Sequence, residues 1–198
     1  MGRTVKRSRQ QNTLRIIGGQ WRGRKLTFPP DKSLRPTPDR VRETLFNWLS
    51  PSISGARCLD LYAGSGALGM EALSRGAFSC DFVDNSAAAI FQIQQHLKML
   101  KTAQPMVCKA MSADQFLASA QLPYDIVFLD PPFDQTLLET SCSQLHQKRL
   151  ISDGGLVYAE SHAKTTAIAV PSSWELLRDK IAGDVKYRLF RTQQTSSA

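Results

Sequence analysis

From residue 57 onward, short apolar runs alternate with longer segments in which apolar positions recur every three or four residues. The short runs are rich in Leu, Ile, Val, Phe and Cys, which is typical of buried strands. Near-continuously apolar strands separated by helices indicate a parallel sheet covered on both faces. The pattern therefore predicts an α/β fold with strands at 57–62, 80–84, 106–111, 125–130 and 155–160 and helices at 67–75, 86–101, 113–119 and 135–148.

The last part of the chain departs from this alternation. Residues 174–182 and 185–191 are strand-like segments separated by Gly183 and Asp184, which is typical of a tight hairpin turn. Two strands joined by such a turn are antiparallel. The prediction is therefore a doubly wound, mostly parallel seven-stranded sheet with an antiparallel C-terminal hairpin at its edge.

The N-terminal part carries a basic pattern of its own. Residues 1–12 are polar and basic without periodicity, and we expect them to form a disordered tail. Between residues 14 and 28, apolar positions flank Gly18-Gly19 and cations surround Trp21, which predicts a small basic β-hairpin. Pro29, Pro30 and Pro36 indicate an irregular linker after it. Residues 13–36 thus form a hairpin and linker ahead of one α/β domain at 37–198.

A helix is predicted to open that domain. Thr37-Pro38 is typical of an N-cap followed by proline at the first helical position. The apolar positions that follow recur at helical spacing and define one apolar face. The apolar face contains Val41, Leu45, Trp48 and Leu49, and the polar face Arg40, Arg42, Glu43 and Asn47.

The positive charge of the protein is concentrated near the N-terminus. The net charge is +8, and the first 42 residues hold 12 Lys and Arg against Asp31 and Asp39. Clustered cations displace counterions from a phosphate backbone, so this asymmetry indicates a nucleic-acid partner. A solvated basic tail is the alternative, mainly for residues 2–12.

Composition excludes several other classes. At 198 residues and 42% hydrophobic content, the chain is expected to bury one full core. The apolar runs are too short to cross a membrane, and residues 1–6 lack the apolar core of a signal peptide. We therefore expect a soluble cytoplasmic protein without a membrane or metal partner. The widely spaced cysteines and histidines indicate free thiols and no metal site: Cys58, Cys80, Cys108, Cys142, His96, His146 and His162.

A glycine-rich turn follows the first predicted strand and opens the next helix. Residues 64–69, Gly-Ser-Gly-Ala-Leu-Gly, match the pattern G-x-G-x-x-G. Glycines allow a sharp turn and the close approach of a ligand to a helix N-terminus. Asp84 ends the second predicted strand 20 positions after Gly64, where an acidic residue can bind ribose hydroxyls. These features do not separate NAD from S-adenosylmethionine, and a turn without a ligand stays open.

Asp60 distinguishes the two cofactors. It lies inside the first predicted strand, four residues before Gly64, where a dehydrogenase usually has an apolar residue. A carboxylate there repels a pyrophosphate and attracts the ammonium group of an amino-acid tail, directly or through water. The Asp-x-x-x-Gly-x-Gly arrangement resembles motif I of the class I methyltransferases, which implies a Rossmann-like fold and S-adenosylmethionine as cofactor.

A second motif ends the fourth predicted strand. Residues 125–129 are mostly apolar and lead into Asp130-Pro131-Pro132-Phe133. In a doubly wound sheet this strand lies beside the first, so its end faces the glycine turn across the crevice. Two consecutive prolines stiffen the loop, because both have fixed φ and lack an N–H group.

Such a loop suits the methylation of an exocyclic amine on a nucleic-acid base. The Asp130 carboxylate and the Pro131 carbonyl can accept both amine hydrogens and aim the nitrogen at a methyl donor, which lowers the barrier by positioning. Phe133 is expected to stack on a base that has left its helix. The tetrapeptide resembles the (Asp/Asn)-Pro-Pro-(Tyr/Phe) motif of amino-methyltransferases acting on adenine N6, cytosine N4 or guanine N2.

Two further N-terminal strings extend the resemblance. Residues 15–26, Arg-Ile-Ile-Gly-Gly-Gln-Trp-Arg-Gly-Arg-Lys-Leu, are followed by residues 35–49, Arg-Pro-Thr-Pro-Asp-Arg-Val-Arg-Glu-Thr-Leu-Phe-Asn-Trp-Leu. With both motifs, the chain resembles the RsmD family of bacterial 16S rRNA guanine-N2 methyltransferases from about Arg15 to Arg191. Phe133 stands where many relatives of the wider class carry Tyr, which keeps the ring and removes a hydroxyl.

The resemblance implies the substrate and the residues that bind it. The substrate would be the N2 amine of one guanine of 16S rRNA, guanine 966 in that family, on an assembled or assembling 30S subunit. Nothing in the sequence requires a second copy, so we expect a monomer. The helix that begins at Thr37 would close over the cofactor. The predicted catalytic residues are Asp130, Pro131, Pro132 and Phe133; the cofactor-binding residues are Thr37, Asp60, Tyr62, Ala63, Gly64, Ser65, Gly66, Asp84, Asn85, Ser112, Ala113 and Asp114; and the RNA-binding residues are Arg15, Trp21, Arg22, Arg24, Lys25, Arg35 and Arg40.

Three alternatives remain open at this point. A DNA or RNA adenine-N6 methyltransferase would share both motifs, although DNA enzymes usually add a target-recognition segment that this chain lacks. An NAD(P)-dependent oxidoreductase would not need residues 130–133. A non-catalytic RNA-binding module could keep the basic hairpin but would not need Asp130. For Trp21, packing within the hairpin is the alternative to stacking on RNA.

Overall fold

A computed structural model describes residues 12–28, 37–132 and 134–193. It contains a two-stranded sheet and a seven-stranded sheet. The strands are β1 (Asn12–Arg15), β2 (Lys25–Phe28), β3 (Arg57–Asp60), β4 (Ser79–Asp84), β5 (Cys108–Ala110), β6 (Tyr124–Leu129), β7 (Ile151–His162), β8 (Trp174–Ala182) and β9 (Val185–Thr192). The helices are α1 (Asp39–Trp48), α2 (Ala67–Ser74), α3 (Ala87–Met99), α4 (Ala113–Ser119) and α5 (Gln135–Gln147).

The large sheet has the predicted doubly wound topology. Its strand order is β5-β4-β3-β6-β7-β9-β8. The pairs from β5 through β7 are parallel, whereas β9 pairs antiparallel with both β7 and β8. Strand β3 lies between β4 and β6, so the strand order reverses at β3. In such sheets, ligands bind at the carboxyl ends of the strands at this switch point. The prediction of a mostly parallel seven-stranded sheet with an antiparallel C-terminal hairpin is confirmed.

Helices cover both faces of this sheet, because neighbouring strand residues point to opposite sides. Cys58 and Phe128 face one core, which includes buried residues of α1, α2 and α3. Leu59 and Val127 face the other core, which includes buried residues of α4 and α5. The four cysteines are free, and three of them are buried in these cores. Within the described residues, no helix is long and apolar enough to span a membrane.

The N-terminal hairpin packs onto the same core rather than standing apart from it. Leu14, Ile16 and Leu26 are buried with residues of α1 and α2. Gly19 has a φ of +74°, and a Cβ there would lie 1.8 Å from the carbonyl oxygen of Ser74. The hairpin therefore contacts the end of α2 so closely that no larger residue fits. Strand β1 begins at Asn12, inside the predicted tail, and residues 1–11 and 29–36 lie outside the described part.

Two predictions for the first helix are wrong. The N-cap of α1 is Pro38 rather than Thr37, because the Thr37 hydroxyl is engaged with two carboxyl groups described below. Arg42, predicted on the polar face, is fully buried. Its guanidinium reaches the backbone of the N-terminal hairpin and the carboxylate of Glu71, and this tertiary contact overrides the amphipathic pattern.

Candidate active site

The carboxyl ends of four neighbouring parallel strands bring acidic residues together. Asp60 ends β3, Asp84 ends β4 and Asp130 follows β6. In the β6–β7 register, Leu129 pairs with Ala159, so that Asp130 and Glu160 follow side by side. The predicted closeness of the glycine turn and residues 130–132 is therefore a result of strand order, and β7 adds a fourth acidic residue.

The glycine turn has the backbone geometry that the motif predicts. Gly64 and Gly66 have φ values of +51° and +74°, which other L residues rarely adopt. A Cβ on Gly66 would lie 2.9 Å from side-chain atoms of Ile93 and Met70. The Gly64 amide donates to the Asp84 carboxylate at 2.8 Å. Asp84 thus holds the turn in place, and a carboxylate retains further lone pairs for ribose hydroxyls.

Asp60 lies beneath the turn and is 2% exposed. Its carboxylate accepts a 2.9 Å hydrogen bond from the amide of Gly69, in the first turns of α2. The pKa of Asp60 is raised to about 7, mainly by burial and also by the charges of Asp84 and Glu160, while the Gly69 hydrogen bond lowers it. A positive ligand group beside Asp60 would favour its ionised form.

Asp130 and Glu160 are joined through one hydroxyl group. The Thr37 hydroxyl lies 3.2 Å from Oε1 of Glu160 and 3.5 Å from Oδ2 of Asp130. Tyr158 donates its hydroxyl hydrogen to the same Oε1 at 2.7 Å. Burial raises the pKa of Asp130 well above its ordinary value, and the charges of Glu160 and Asp60 add to this effect. Burial also raises the pKa of Glu160, although its two hydroxyl partners lower it.

The proline loop leads from Asp130 to helix α5. Pro131 is buried and Pro132 is exposed. The Asp134 amide donates to the carbonyl of Pro132, and the Asp134 side chain caps α5 through the amide of Thr136. The loop therefore runs directly into the capped N-terminus of α5. Phe133, predicted to stack on the base, lies outside the described residues.

These groups fit a cationic cofactor that contains a nucleoside. Asp60, Asp130 and Glu160 carry the acidic charge of the crevice, and none of them is ion-paired to Lys or Arg in the described part of the chain. A ligand with a sulfonium and an ammonium group would supply that missing positive charge. No group of three His, Cys, Asp or Glu residues able to hold a metal ion occurs within residues 12–28, 37–132 and 134–193.

Several predicted cofactor residues also have partners within the protein. The hydroxyl of Tyr62 lies 2.8 Å from that of Ser141 on α5. Ser112 caps α4, and Asp114 accepts from the amide side chain of Gln144 on α5. Ala63 directly precedes the glycine turn, Ser65 lies in it, and Asn85 is exposed directly after Asp84.

The predicted RNA-binding cations that the structure describes are exposed, as an RNA-binding surface requires. Arg35 lies outside the described residues. Trp21 is different, because it is 9% exposed and belongs to the core that α1, α2 and α3 share. Its backbone amide donates to the hydroxyl of Ser74. Trp21 therefore packs the hairpin onto α2 and is not presented for stacking on a base. The exposed cations, which we call the basic surface, are Arg15, Arg22, Arg24, Lys25 and Arg40.

A buried ion-pair centre holds the hairpin in place. Glu71 on α2 accepts hydrogen bonds at 2.8 Å from the amides of Ile17 and Gly18. It also lies 2.7 Å from the guanidinium of Arg75 and 3.8 Å from that of Arg42. Arg42 donates to the carbonyl of Arg15 in the hairpin and to that of Thr37. We call this group of Glu71, Arg42 and Arg75 the Glu71 centre.

Glu160, Tyr158 and Glu71 are residues that the sequence patterns did not single out. Each is polar or charged within an otherwise apolar run, and this is a signal of function or of a buried ion pair. A polar residue in an apolar run does not reveal which residue it contacts. Glu160 lies near Asp130 because of the pairing register of β6 and β7.

Comparisons with known proteins agree with this geometry. A family model described as "Conserved hypothetical protein 95" matches residues 14–191. The chain is 48% identical over 180 residues to "Ribosomal RNA small subunit methyltransferase D" of Escherichia coli strain K12, which covers 91% of this chain and 90% of that protein. It is 42% identical to the protein of the same name from Haemophilus influenzae, over 90% of this chain and 93% of that protein. A solved structure titled "Putative methyltransferase yhhF from Escherichia coli" superposes with a TM-score of 0.84 at 45% identity, over 92% of this chain and 99% of that one.

Proposed function

This chain belongs to the RsmD family, whose model is described as "Conserved hypothetical protein 95", and on that premise we propose that it transfers a methyl group from S-adenosylmethionine to 16S rRNA. The accepting atom is the exocyclic N2 of one guanine, guanine 966, within an assembled or assembling 30S subunit. The general activity, methylation of rRNA, rests on relatives named as rRNA methyltransferases, to which this chain aligns over nine-tenths of their length.

The proposed chemistry rests on the position of Asp130 beside the glycine turn. Asp130 and the glycine turn meet at the switch point of the sheet, with Asp60 buried between strand β3 and the start of α2. The turn, Asp60 and Asp84 would hold the amino-acid tail and the ribose of the cofactor. A base amine brought to Asp130 would therefore lie beside the donor methyl group.

The cofactor supplies an electrophilic methyl group on a cationic sulfur. The chain supplies position and hydrogen-bond acceptors, because an exocyclic amine is a weak nucleophile whose lone pair is delocalised into the ring. The Asp130 carboxyl group and the Pro131 carbonyl would accept the two N–H hydrogens and aim the nitrogen at the methyl carbon. Once the new N–C bond has replaced the S–C bond of the cofactor, Asp130 would take the proton that the methylated amine releases, and S-adenosylhomocysteine would be the second product.

The basic surface supports RNA as the substrate. Arg40 lies at the start of α1, and the other four cations lie on the hairpin that the Glu71 centre joins to α1 and α2. Phosphate contacts on this surface would therefore set the position of the RNA relative to Asp130. Phosphate contacts position a nucleic acid without reading its bases. The choice of guanine N2 accordingly rests on family membership.

Adenine N6 is the second candidate for the accepting atom, because residues 130–132 can receive any exocyclic amine. A transfer assay separates the two. Labelled methyl is offered with 16S rRNA, isolated 30S subunits and duplex DNA, and the nucleosides are then identified by mass. We expect N2-methylguanine from 30S subunits or rRNA, and labelled N6-methyladenine would contradict the proposal.

We also propose that the enzyme acts as a monomer. The order of the strands in one chain brings Asp60, Asp84, Asp130 and Glu160 to the same crevice, which supports a site that a single copy can complete. The test is the rate per chain over a hundredfold range of enzyme concentration. A rate per chain that rises with concentration would contradict this part of the proposal.

A further inference from the structure

Thr37 carries a single hydroxyl hydrogen but lies between two carboxyl groups. Its oxygen is 3.2 Å from Glu160 and 3.5 Å from Asp130. A hydroxyl donates one hydrogen and accepts others. If Thr37 donates to one carboxylate, the second carboxyl group can bond to Thr37 only as a protonated acid that donates. The geometry therefore accommodates one proton and one negative charge on the two carboxyl groups together.

Among residues 12–28, 37–132 and 134–193, no Lys or Arg is ion-paired with either group. The charged and titratable groups that face them are Asp60 from β3, Tyr158 from β7, and, next to Tyr158 and Asp60, Tyr187 from β9 and Asp84 from β4. The guanidinium of Arg42 on α1 contacts the carbonyl of Thr37 and is ion-paired with Asp39 and Glu71. If both were ionised, the buried Glu160 and the half-buried Asp130 would repel each other across one hydroxyl group, so that one of them retains its proton.

The hydrogen bonds indicate which group retains the proton in the free protein. Glu160 accepts from Tyr158 at 2.7 Å and can accept from Thr37 as well. Two donors stabilise its ionised form. Asp130 has the longer contact with Thr37 and is then the acid that donates to it. Asp130 thus donates its hydrogen to Thr37, and Thr37 donates its own hydrogen to Glu160.

We propose that Asp130 and Glu160 act as one proton-sharing pair bridged by Thr37, in which Glu160 is a positioning residue that takes up the shared proton when a base amine donates to Asp130. This inference rests on the proposed function for the identity of the amine. The shift breaks the O–H bonds of Asp130 and Thr37 and forms new ones on Thr37 and Glu160, so that no net proton enters or leaves. Asp130 is then an ionised acceptor, and it takes the amine proton after methyl transfer.

The pair makes a specific prediction for Glu160→Gln. This variant keeps a side chain of the same shape but removes the neighbouring charge, so the carboxyl group of Asp130 should ionise at lower pH. In the protein labelled with ¹³C at the Asp carboxyl carbons, we expect the titration midpoint of Asp130 to fall by about one pH unit or more. The acid limb of single-turnover methyl transfer to 30S subunits should move in the same direction, because Asp130 accepts the amine hydrogen only when it is ionised.

Thr37 provides the matched pair of variants. Thr37→Ser keeps the hydroxyl and should retain both titration midpoints and the transfer rate. Thr37→Val keeps the shape but removes the hydrogen-bonded bridge, so the midpoints of Asp130 and Glu160 should both rise and the transfer rate should fall about tenfold. The reverse measurement uses ¹³C-labelled Glu. The midpoint of Glu160 should fall in Asp130→Asn, because the partner charge is gone.

Equal midpoints for Asp130 in the wild type and in Glu160→Gln would overturn the pair, as would equal transfer rates in Thr37→Ser and Thr37→Val. The carboxyl titrations use protein without RNA or cofactor. They therefore test the pair even if the methylated base proves not to be guanine. A shifted midpoint combined with no methylation of guanine would leave the pair standing and contradict the proposed substrate.

Discussion

Two buried acidic sites of the molecule differ in how their charge is compensated. The Glu71 centre surrounds a fully buried carboxylate with two guanidinium groups and two backbone amides. The Asp130–Glu160 pair, at the crevice, has hydroxyl partners and no ion pair to a cation among the described residues. Both sites bury carboxyl groups, yet their partners give them opposite chemistry.

The difference shows how one fold separates structural from reactive acids. A buried charge with cations around it stays ionised and holds its neighbours in place, and removing one partner leaves the other uncompensated. Buried carboxyl groups without cations compete for a proton and remain available to a cationic ligand and a donating amine. The first arrangement attaches the hairpin to the domain, and the second prepares the crevice for chemistry.

The largest expected effect separates the reactive site from the structural one. Asp130→Ala should reduce methyl transfer by about a thousandfold, because positioning and acceptance of the amine are lost together. Asp130→Asn keeps one acceptor oxygen and should lose less. The measurement is single-turnover transfer to 30S subunits, with cofactor affinity from calorimetry as the control. Transfer at the wild-type rate by Asp130→Ala would contradict the assigned role.

The structural site should respond in stability instead. Glu71→Ala leaves Arg42 and Arg75 without their shared carboxylate, and should lower the free energy of unfolding by about 3–5 kcal/mol. Glu43→Ala, which removes an exposed carboxylate from α1, is the matched control and should change it by less than about 0.5 kcal/mol. Urea unfolding measures both. Similar stabilities for the two variants would mean that the Glu71 centre does not hold the hairpin.

The basic surface should affect RNA binding while leaving both acidic sites intact. Charge reversal of Arg22 and Arg24 to Glu should weaken 16S rRNA binding by roughly thirtyfold. The slope of log affinity against log salt concentration should fall by about two counterions, because a phosphate that is no longer bound by a cation keeps its counterion. Arg178→Glu, on the exposed edge strand β8, is the control. RNA affinities that match the wild type at several salt concentrations would exclude this surface.

The smallest expected effect concerns Asp60. Its pKa is raised to about 7, so Asp60 is largely protonated below pH 7 and ionised above it. A cationic cofactor prefers the ionised form, and its affinity should therefore rise by about tenfold as the pH increases through 7. Asp60→Asn should remove this rise. Calorimetry from pH 5.5 to 8.5 measures it, and a pH dependence that persists in the variant would assign it to another group.

Stability should change with pH in the opposite direction. The pKa of Asp60 in the folded protein lies above its ordinary value of 3.8, so the folded state binds the proton more tightly than the unfolded state does. The contribution is complete below about pH 4 and is lost as the pH rises towards 7. Asp60→Asn should flatten this part of the stability profile.

Much of the fold follows from local pattern. The apolar runs predicted every strand of the large sheet, although β5 is shorter and β7 longer than expected. The glycine turn and Asp130 were predicted from motifs, because the conformations of Gly64 and Gly66 and the stiffness of Pro131 are properties of those residues themselves.

The polar contacts across the structure were less predictable. Trp21 looked like a candidate for stacking on RNA, and its burial follows from the close approach of Gly19 to α2. Arg42 was expected on a solvated helix face, and its burial follows from the carboxylate of Glu71, 29 positions further on in the chain. A helical period cannot reveal a partner on another element.

The sequence by itself determined the alternation of strands and helices, the glycine turn, the acidic residues at the strand ends and the concentration of cations near the N-terminus. These depend on side-chain periodicity and on the conformations of Gly and Pro, which act over a few residues. Only the tertiary structure decided that Glu160 joins Asp130 through Thr37, and that Glu71 gathers two arginines beneath the hairpin. The physical reason is that burial and strand register, set by the packing of distant segments, choose the partners of each charged group and so decide whether it holds the structure together or exchanges a proton.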